Sequence, residues 1–125
     1  MEKFFFNIIG CSADSISNEA LKSLITSINC NAIIMNDSDA MSEKLEKEDI
    51  KAIVVDEYII NKGKIVRAEE LFKHYMYKVP IIFLLEVLNE KQGHHPYKQY
   101  FRKPINAKTL QNYLSPYLEI KEVVK

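Results

Sequence analysis

Apolar residues along this chain come in short, unbroken runs set between amphipathic stretches. The clearest run is Ala52-Ile53-Val54-Val55, inside IKAIVVDEYII (50–60), which stops abruptly at Asp56. A run with no polar alternation predicts a strand buried on both faces, the pattern of a central strand in a helix-covered parallel sheet. Lys3 to Ile9 predicts the first strand, because Phe4, Phe5, Phe6, Ile8 and Ile9 are strand formers broken only by Asn7. Gly10 to Ser15 then reads as a turn. Ser17 can cap a helix whose apolar positions, Ala20, Leu21, Leu24, Ile25 and Ile28, keep the three-and-four spacing of one buried face. Asn29 closes it, and Ala32 to Met35 predicts a second strand. After the turn cluster Asn36 to Asp39, a charged helix is expected around Met41 to Glu48.

Beyond Asp56, Asn61 to Lys64 reads as a Gly-centred loop. Arg67 to Tyr77 reads as a helix with Ala68, Leu71, Phe72 and Tyr75 on one side. Pro80 cannot continue that helix, and Ile81 to Leu85 predicts the fourth strand. Asn89 to Gln99 is polar, with Gly93 and Pro96 leaving room for a short helix at most. Tyr100-Phe101 predicts a brief fifth strand. Asn106 can cap a last helix facing inward through Leu110, Tyr113, Leu114, Tyr117 and Leu118, which Pro116 should kink or split. This strict alternation of strand and helix, with right-handed crossovers, predicts an α/β fold. Its core is a doubly wound five-stranded parallel sheet in the order 2-1-3-4-5, the flavodoxin-like arrangement. The 125 residues suit one domain with one core, spanning 1–125.

Charge divides the chain in two. Residues 1–62 carry 6 Lys+Arg against 11 Asp+Glu, and residues 63–125 carry 11 against 6, so a zero total hides halves of −5 and +5. Between Glu90 and Glu119 every charge is basic: Lys91, Lys98, Arg102, Lys103 and Lys108. Such a stretch is either a solvated face or a docking surface for an acidic protein partner. Nucleic acid is not the expected partner, because those domains carry a clear basic excess overall. No apolar run approaches the roughly 18 residues of a membrane span. MEKFFFNIIGC has a basic start and a lipoprotein-like Ile-Ile-Gly-Cys ending, but its apolar run is shorter than the roughly 7–15 residues of an export signal. A buried first strand and a cytoplasmic protein are therefore expected. Cys11 and Cys30 fit no metal-ligand spacing and read as small buried thiols. The adjacent His94 and His95, with His74 elsewhere, read as loop residues rather than ligands.

In this topology the carboxyl ends of strands one, three, four and five meet at one edge. They bring Gly10-Cys11-Ser12, Asp56, Leu85-Glu86 and Lys103-Pro104 together. An acid facing a lysine there is either a structural ion pair or part of a catalytic site, and the pattern leaves both open.

These residues resemble the receiver domain of bacterial two-component response regulators, over nearly the whole chain. Ile53-Val54-Val55-Asp56 resembles the phosphoacceptor strand, with Asp56 in the phosphorylated position. Pro80-Ile81-Ile82-Phe83-Leu84 resembles the fourth strand. Arg102-Lys103-Pro104-Ile105 resembles the Lys-Pro motif, which implies a phosphate-contacting role for Lys103 and a cis bond before Pro104. Tyr100 matches the aromatic position that switches rotamer on activation, and Ala40-Met41 matches the apolar pair opening the second helix.

The departures from that family carry as much information. Its paired Mg²⁺-binding acids fall on Gly10 and Cys11, neither of which offers a hard oxygen side chain, and Asp14 is the only substitute nearby. Its phosphate-binding hydroxyl falls on Leu85, with Glu86 beside it to repel a phosphate. The Pro four residues after the phosphoacceptor is Ile60, and the fourth helix is shortened. The resemblance therefore implies a degenerate receiver, a pseudo-receiver without Mg²⁺ or other cofactor, acting through protein contacts in two-component signalling or a phosphorelay rather than as an enzyme. Its expected contact surface is Lys98, Tyr100, Arg102, Lys108 and Tyr113, for a second copy, a kinase or an output domain. The sequence leaves open a stand-alone regulator and a domain of a longer protein. The alternatives are a small flavodoxin-like enzyme or ligand-binding domain using Cys11, Asp56 and Lys103, or the wing domain of a larger enzyme. The first loop, with Ser12, Ser15 and Ser17 but no glycine-rich cradle, does not suit a flavin phosphate.

Overall fold

A computed structural model of the chain describes residues 6–74, 79–88 and 97–123. In chain order these form β1 (Asn7–Cys11), α1 (Ser15–Ser27), β2 (Asn31–Met35), α2 (Met41–Lys47) and β3 (Ile50–Asp56). Then come β4 (Tyr58–Asn61), β5 (Lys64–Arg67), α3 (Ala68–Leu71), β6 (Ile81–Leu85), β7 (Lys98–Arg102) and α4 (Ala107–Val123). Short 3-10 turns precede α2 and follow α3. Five strands pair in parallel in the order β2-β1-β3-β6-β7, while β4 and β5 form a separate antiparallel hairpin. Setting the hairpin aside, this is the expected 2-1-3-4-5 order.

Alternation along β3 explains the layering. Ile53 and Val55 face one side of the sheet, where they join Ile9, Cys11, Phe83 and Leu85 under Met41, Ile59 and Phe72. Ala52 and Val54 face the other, with Ile8, Ile82 and Leu84 under Leu21 and Ile25 of α1 and Leu110 and Leu114 of α4. Every residue from Ala52 to Asp56 is buried, and each fully buried isoleucine contributes roughly 1.5–3 kcal/mol. The run IVV needs no polar alternation because both of its faces meet helices or the hairpin.

Several local expectations change. The strand expected over Lys3–Ile9 is, among the described residues, β1 through Cys11, so Gly10 and Cys11 are strand residues rather than turn residues. Gly10 suits the packing: a Cβ there would lie 2.9 Å from Ile34 Cδ1 and 3.2 Å from Ile25 Cδ1, so those side chains would have to shift. Asp14, not Ser17, caps α1, accepting from the Ile16 and Ser17 N–H groups. Asn29 closes that helix with φ of 62°, as a left-handed capping residue.

The loop expected over Asn61–Lys64 is the tip of the β4–β5 hairpin. Lys62 and Gly63 both have positive φ, 54° and 78°, the two-residue turn whose twist suits a hairpin. The helix expected over Arg67–Tyr77 is a single turn, α3, followed by a 3-10 turn at Phe72–His74; residues 75–78 lie outside those described. The fifth strand is longer than Tyr100-Phe101. The shortened fourth helix, with His94 and His95, falls on residues 89–96, also outside those described. Helix α4 is not split at Pro116; it continues through it. Pro116 and Asn112, whose carbonyl loses its donor, both lie on the exposed side, where water replaces the bond. No helix among the described residues is long and apolar enough to cross a membrane.

Candidate functional site

Parallel pairing sets the site. Cys11 lies opposite Val55 and Leu84 opposite Asp56, so Ser12, one residue past β1, stands beside Asp56 at the carboxyl end of the sheet. The Ser12 hydroxyl donates to Asp56 Oδ2 at 2.7 Å, and the Glu57 N–H donates to Oδ1 at 2.8 Å. The Lys103 ammonium forms an ion pair with Oδ1. Ser12 is itself fixed: Asn18 Nδ2 donates to its carbonyl at 3.1 Å, and its Oγ accepts from the Asp14 N–H at 3.2 Å. Lys103 is delivered by β7, through its N–H donating to the Leu85 carbonyl at 2.8 Å, ahead of a cis bond to Pro104. Glu86 Oε1 reaches the same ammonium at 3.4 Å.

Asp56 is 8% exposed. That burial pushes its carboxyl up, but Lys103, the Ser12 hydroxyl and the Glu57 N–H more than offset it and hold the group below the ordinary carboxylate range. Burial likewise pulls the Lys103 ammonium down, and Asp56 and then Glu86 more than reverse this, so its pKa is raised. Each partner fixes the other in its charged form.

The sequence-derived positions divide around this pair. Gly10 lies under Leu21, Ile25 and Ile34 and brings no side chain to the carboxylate. Cys11 lies in the core with Met35, Met41 and Val55, and burial, aided by Asp37, pushes its thiol up to about 11. Asp56 borders the opposite layer with Leu84 and Leu21, so Cys11, Asp56 and Lys103 do not form one constellation. Cys30 is likewise buried, with its thiol raised to about 11 by burial. Leu85 turns into the core, and only its carbonyl serves the site. Asp14 is occupied as the helix cap. Tyr100 stacks on Phe83, with ring centroids 5.0 Å apart.

The expected contact surface is less uniform than its charges imply. Lys98 Nζ donates to the Phe72 carbonyl at 2.9 Å and is half-buried. Tyr113 packs edge-on against Phe101 at 5.8 Å and is half-buried too. Arg102 and Lys108 are exposed.

The sequence reading placed Ser12 at this edge without tying it to Asp56, and did not use Glu57. The Ser12 contact to Asp56 follows once β1 is known to reach Cys11. Glu57 ties the site to the hairpin: its Oε1 accepts from the Glu86 N–H at 3.1 Å, and its Oε2 lies 3.5 Å from Arg67. The signal for Glu57 was its place directly after the strand's terminal acid. Next to Asp56 and Lys103 a mostly apolar groove of about 540 Å³ runs between α1 and the start of α4, past Ala20, Leu24, Ile105 and Ala107. Among the described residues no three His, Cys, Asp or Glu side chains gather as a metal site.

The sequence matches no protein-family model and no curated protein. The fold, in contrast, matches many solved structures. A response regulator receiver domain from Methylobacillus flagellatus superimposes with a TM-score of 0.70 at 12% identity, covering 90% of this chain and 98% of that one. A two-component response regulator from Clostridium difficile gives 0.67 at 15% identity, covering 91% and 96%. The signal receiver domain of an HD domain-containing protein from Pseudomonas fluorescens gives 0.66 at 12% identity, covering 94% and 98%. The chain has the fold of response-regulator receiver domains, with Asp56 and Lys103 paired across the carboxyl edge of its sheet.

Proposed function

We propose that this chain is a receiver-like signalling domain that works by protein contact, in the cytoplasm, and not through Mg²⁺-dependent phosphorylation of Asp56. One observation supports this above the others: both Asp56 oxygens are already engaged, by Ser12, Glu57 N–H and Lys103. Phosphoryl transfer to a carboxylate needs an accessible oxygen and cations to neutralise the incoming group, and Asp56 is buried as well as engaged. Here the lysine is spent on two acids, Asp56 and Glu86. The donor set does not suit Mg²⁺, which prefers carboxylates and waters in an octahedron; beside Asp56 stands a serine hydroxyl, and Asp14 is bound to the helix start. The chain has no catalytic task on this reading. Its two charges hold β3 to β7, and partners meet its surface.

Incubation with acetyl phosphate or phosphoramidate and Mg²⁺, followed by intact-mass measurement, tests this. The expected result is no gain of a phosphoryl group. Stoichiometric, Mg²⁺-dependent gain that disappears in Asp56→Asn would overturn the proposal. The groove beside the pair supports a second reading, a ligand-binding domain. Native mass spectrometry of the purified protein would favour it if a small molecule stayed bound and was lost on Ala20→Trp.

A further inference from the structure

The β4–β5 hairpin has one protected edge and one open edge. In antiparallel pairs, residues alternate between those that bond across the pair and those whose main-chain groups point outward. The Tyr58 carbonyl accepts from the Ala13 N–H at 2.9 Å and the Ile60 carbonyl accepts from the Ser38 hydroxyl at 3.1 Å, so Tyr58 and Ile60 are outward-pointing on β4. Their partners across the ladder, Arg67 and Ile65, must then point their N–H groups outward from β5. Among the described residues nothing pairs with those N–H groups. Ile65 is also 69% exposed, in an apolar outer face that continues through Ile60 and Tyr58, with Arg67 over the Tyr58 ring at 5.8 Å. A two-stranded ribbon with an open edge is a template for strand addition.

We infer that the β5 edge pairs with β5 of a second copy, antiparallel about a two-fold axis at Val66, joining two hairpins into one four-stranded sheet. Charge selects this occupant and this register. Placing Ile65 opposite Arg67 of the second copy uses the outward groups of both, and puts Val66 opposite Val66. Lys64 then faces Ala68 of the second copy, and the tip lysine Lys62 runs toward Glu69 and Glu70 in its first helical turn. Shifting by two residues toward α3 would set Arg67 against Arg67. Shifting by two the other way would bring Gly63 into the ladder, and its N–H already donates to Asp37 at 2.8 Å. An edge lysine ordinarily deters pairing; in this register Lys64 meets Ala68 and the tip lysine Lys62 meets acids. The surface lies apart from the Arg102 and Lys108 face and does not depend on the signalling reading.

Sedimentation velocity of the full chain over a concentration series tests the inference. The wild type should show a reversible monomer–dimer equilibrium. Ile65→Pro removes only an outward N–H and should weaken it about tenfold or more. Lys62→Glu should weaken it as well, and adding Glu70→Lys should restore it. A chain monomeric at every concentration would overturn the inference. So would a dimer that survives both Ile65→Pro and Lys62→Glu, which would place association elsewhere, such as on β7.

Discussion

Asp56 shows how a buried charge is kept ionised. Its carboxylate has lost most of its water and regained donors from a hydroxyl, a main-chain N–H and an ammonium. Because its pKa is lowered on folding, the protein binds fewer protons there than the unfolded chain does. The stability it contributes is therefore complete above the ordinary aspartate value of 3.8 and is lost as pH falls through the lower folded value. Lys103 behaves in the opposite sense: its contribution is complete below 10.5 and is lost only as pH rises through its raised folded value. Ser12→Ala should cost about 1–2 kcal/mol near neutral pH. It should also flatten the acid limb of stability, since Asp56 moves back toward its ordinary value. Urea unfolding at a series of pH values checks both. An unchanged acid limb would mean that Ser12 does not hold the carboxylate.

Elements with two buried faces were legible in the sequence, and those shaped by tertiary contacts were not. IVV before Asp56 and IIFLL in β6 are unbroken apolar runs that only a covered parallel sheet accommodates, so order and layering followed from them. The hairpin was missed because Lys62-Gly63 is a weaker turn signal than Asn-Gly, and because Tyr58-Ile59-Ile60 continues the apolar run of β3. Its turn is held by Asp37, more than twenty residues earlier, which accepts from the N–H groups of Lys62 at 2.9 Å and Gly63 at 2.8 Å. The end of β1 was misplaced because Gly10 is ordinarily a turn residue; here its missing side chain admits α1. That misplacement had a consequence for the site. It set Gly10 and Cys11 at the edge beside Ser12, whereas strand pairing takes those two into β1 and leaves Ser12 there. Asp56 and Lys103 were legible as positions, and their mutual contact required only the strand order.

At the level of the whole molecule, the described residues of the basic stretch divide between engaged and exposed side chains. Of the basic residues expected to meet a partner, Lys98 is tied to the Phe72 carbonyl, which leaves Arg102 and Lys108 exposed beside edge strand β7. Arg102→Glu with Lys108→Glu should therefore abolish binding of an acidic protein partner while leaving the melting temperature within a few degrees, because neither side chain is buried. Binding assays with polyglutamate as the acidic probe at two salt concentrations check this; affinity unaffected by the reversal would remove this face from consideration. On the proposed reading, the engaged carboxylate holds the sheet edge together rather than doing chemistry there.

A double-mutant cycle on Asp56 and Lys103 tests that last point most directly. If the pair is structural, Asp56→Asn and Lys103→Ala should each lower unfolding free energy by about 2 kcal/mol, because each removes the main opposite charge facing a poorly solvated partner. The double variant should then lose much less than the two together. Single variants as stable as the wild type, or more stable, would contradict this, since a charged site kept for chemistry gains stability when it is dismantled.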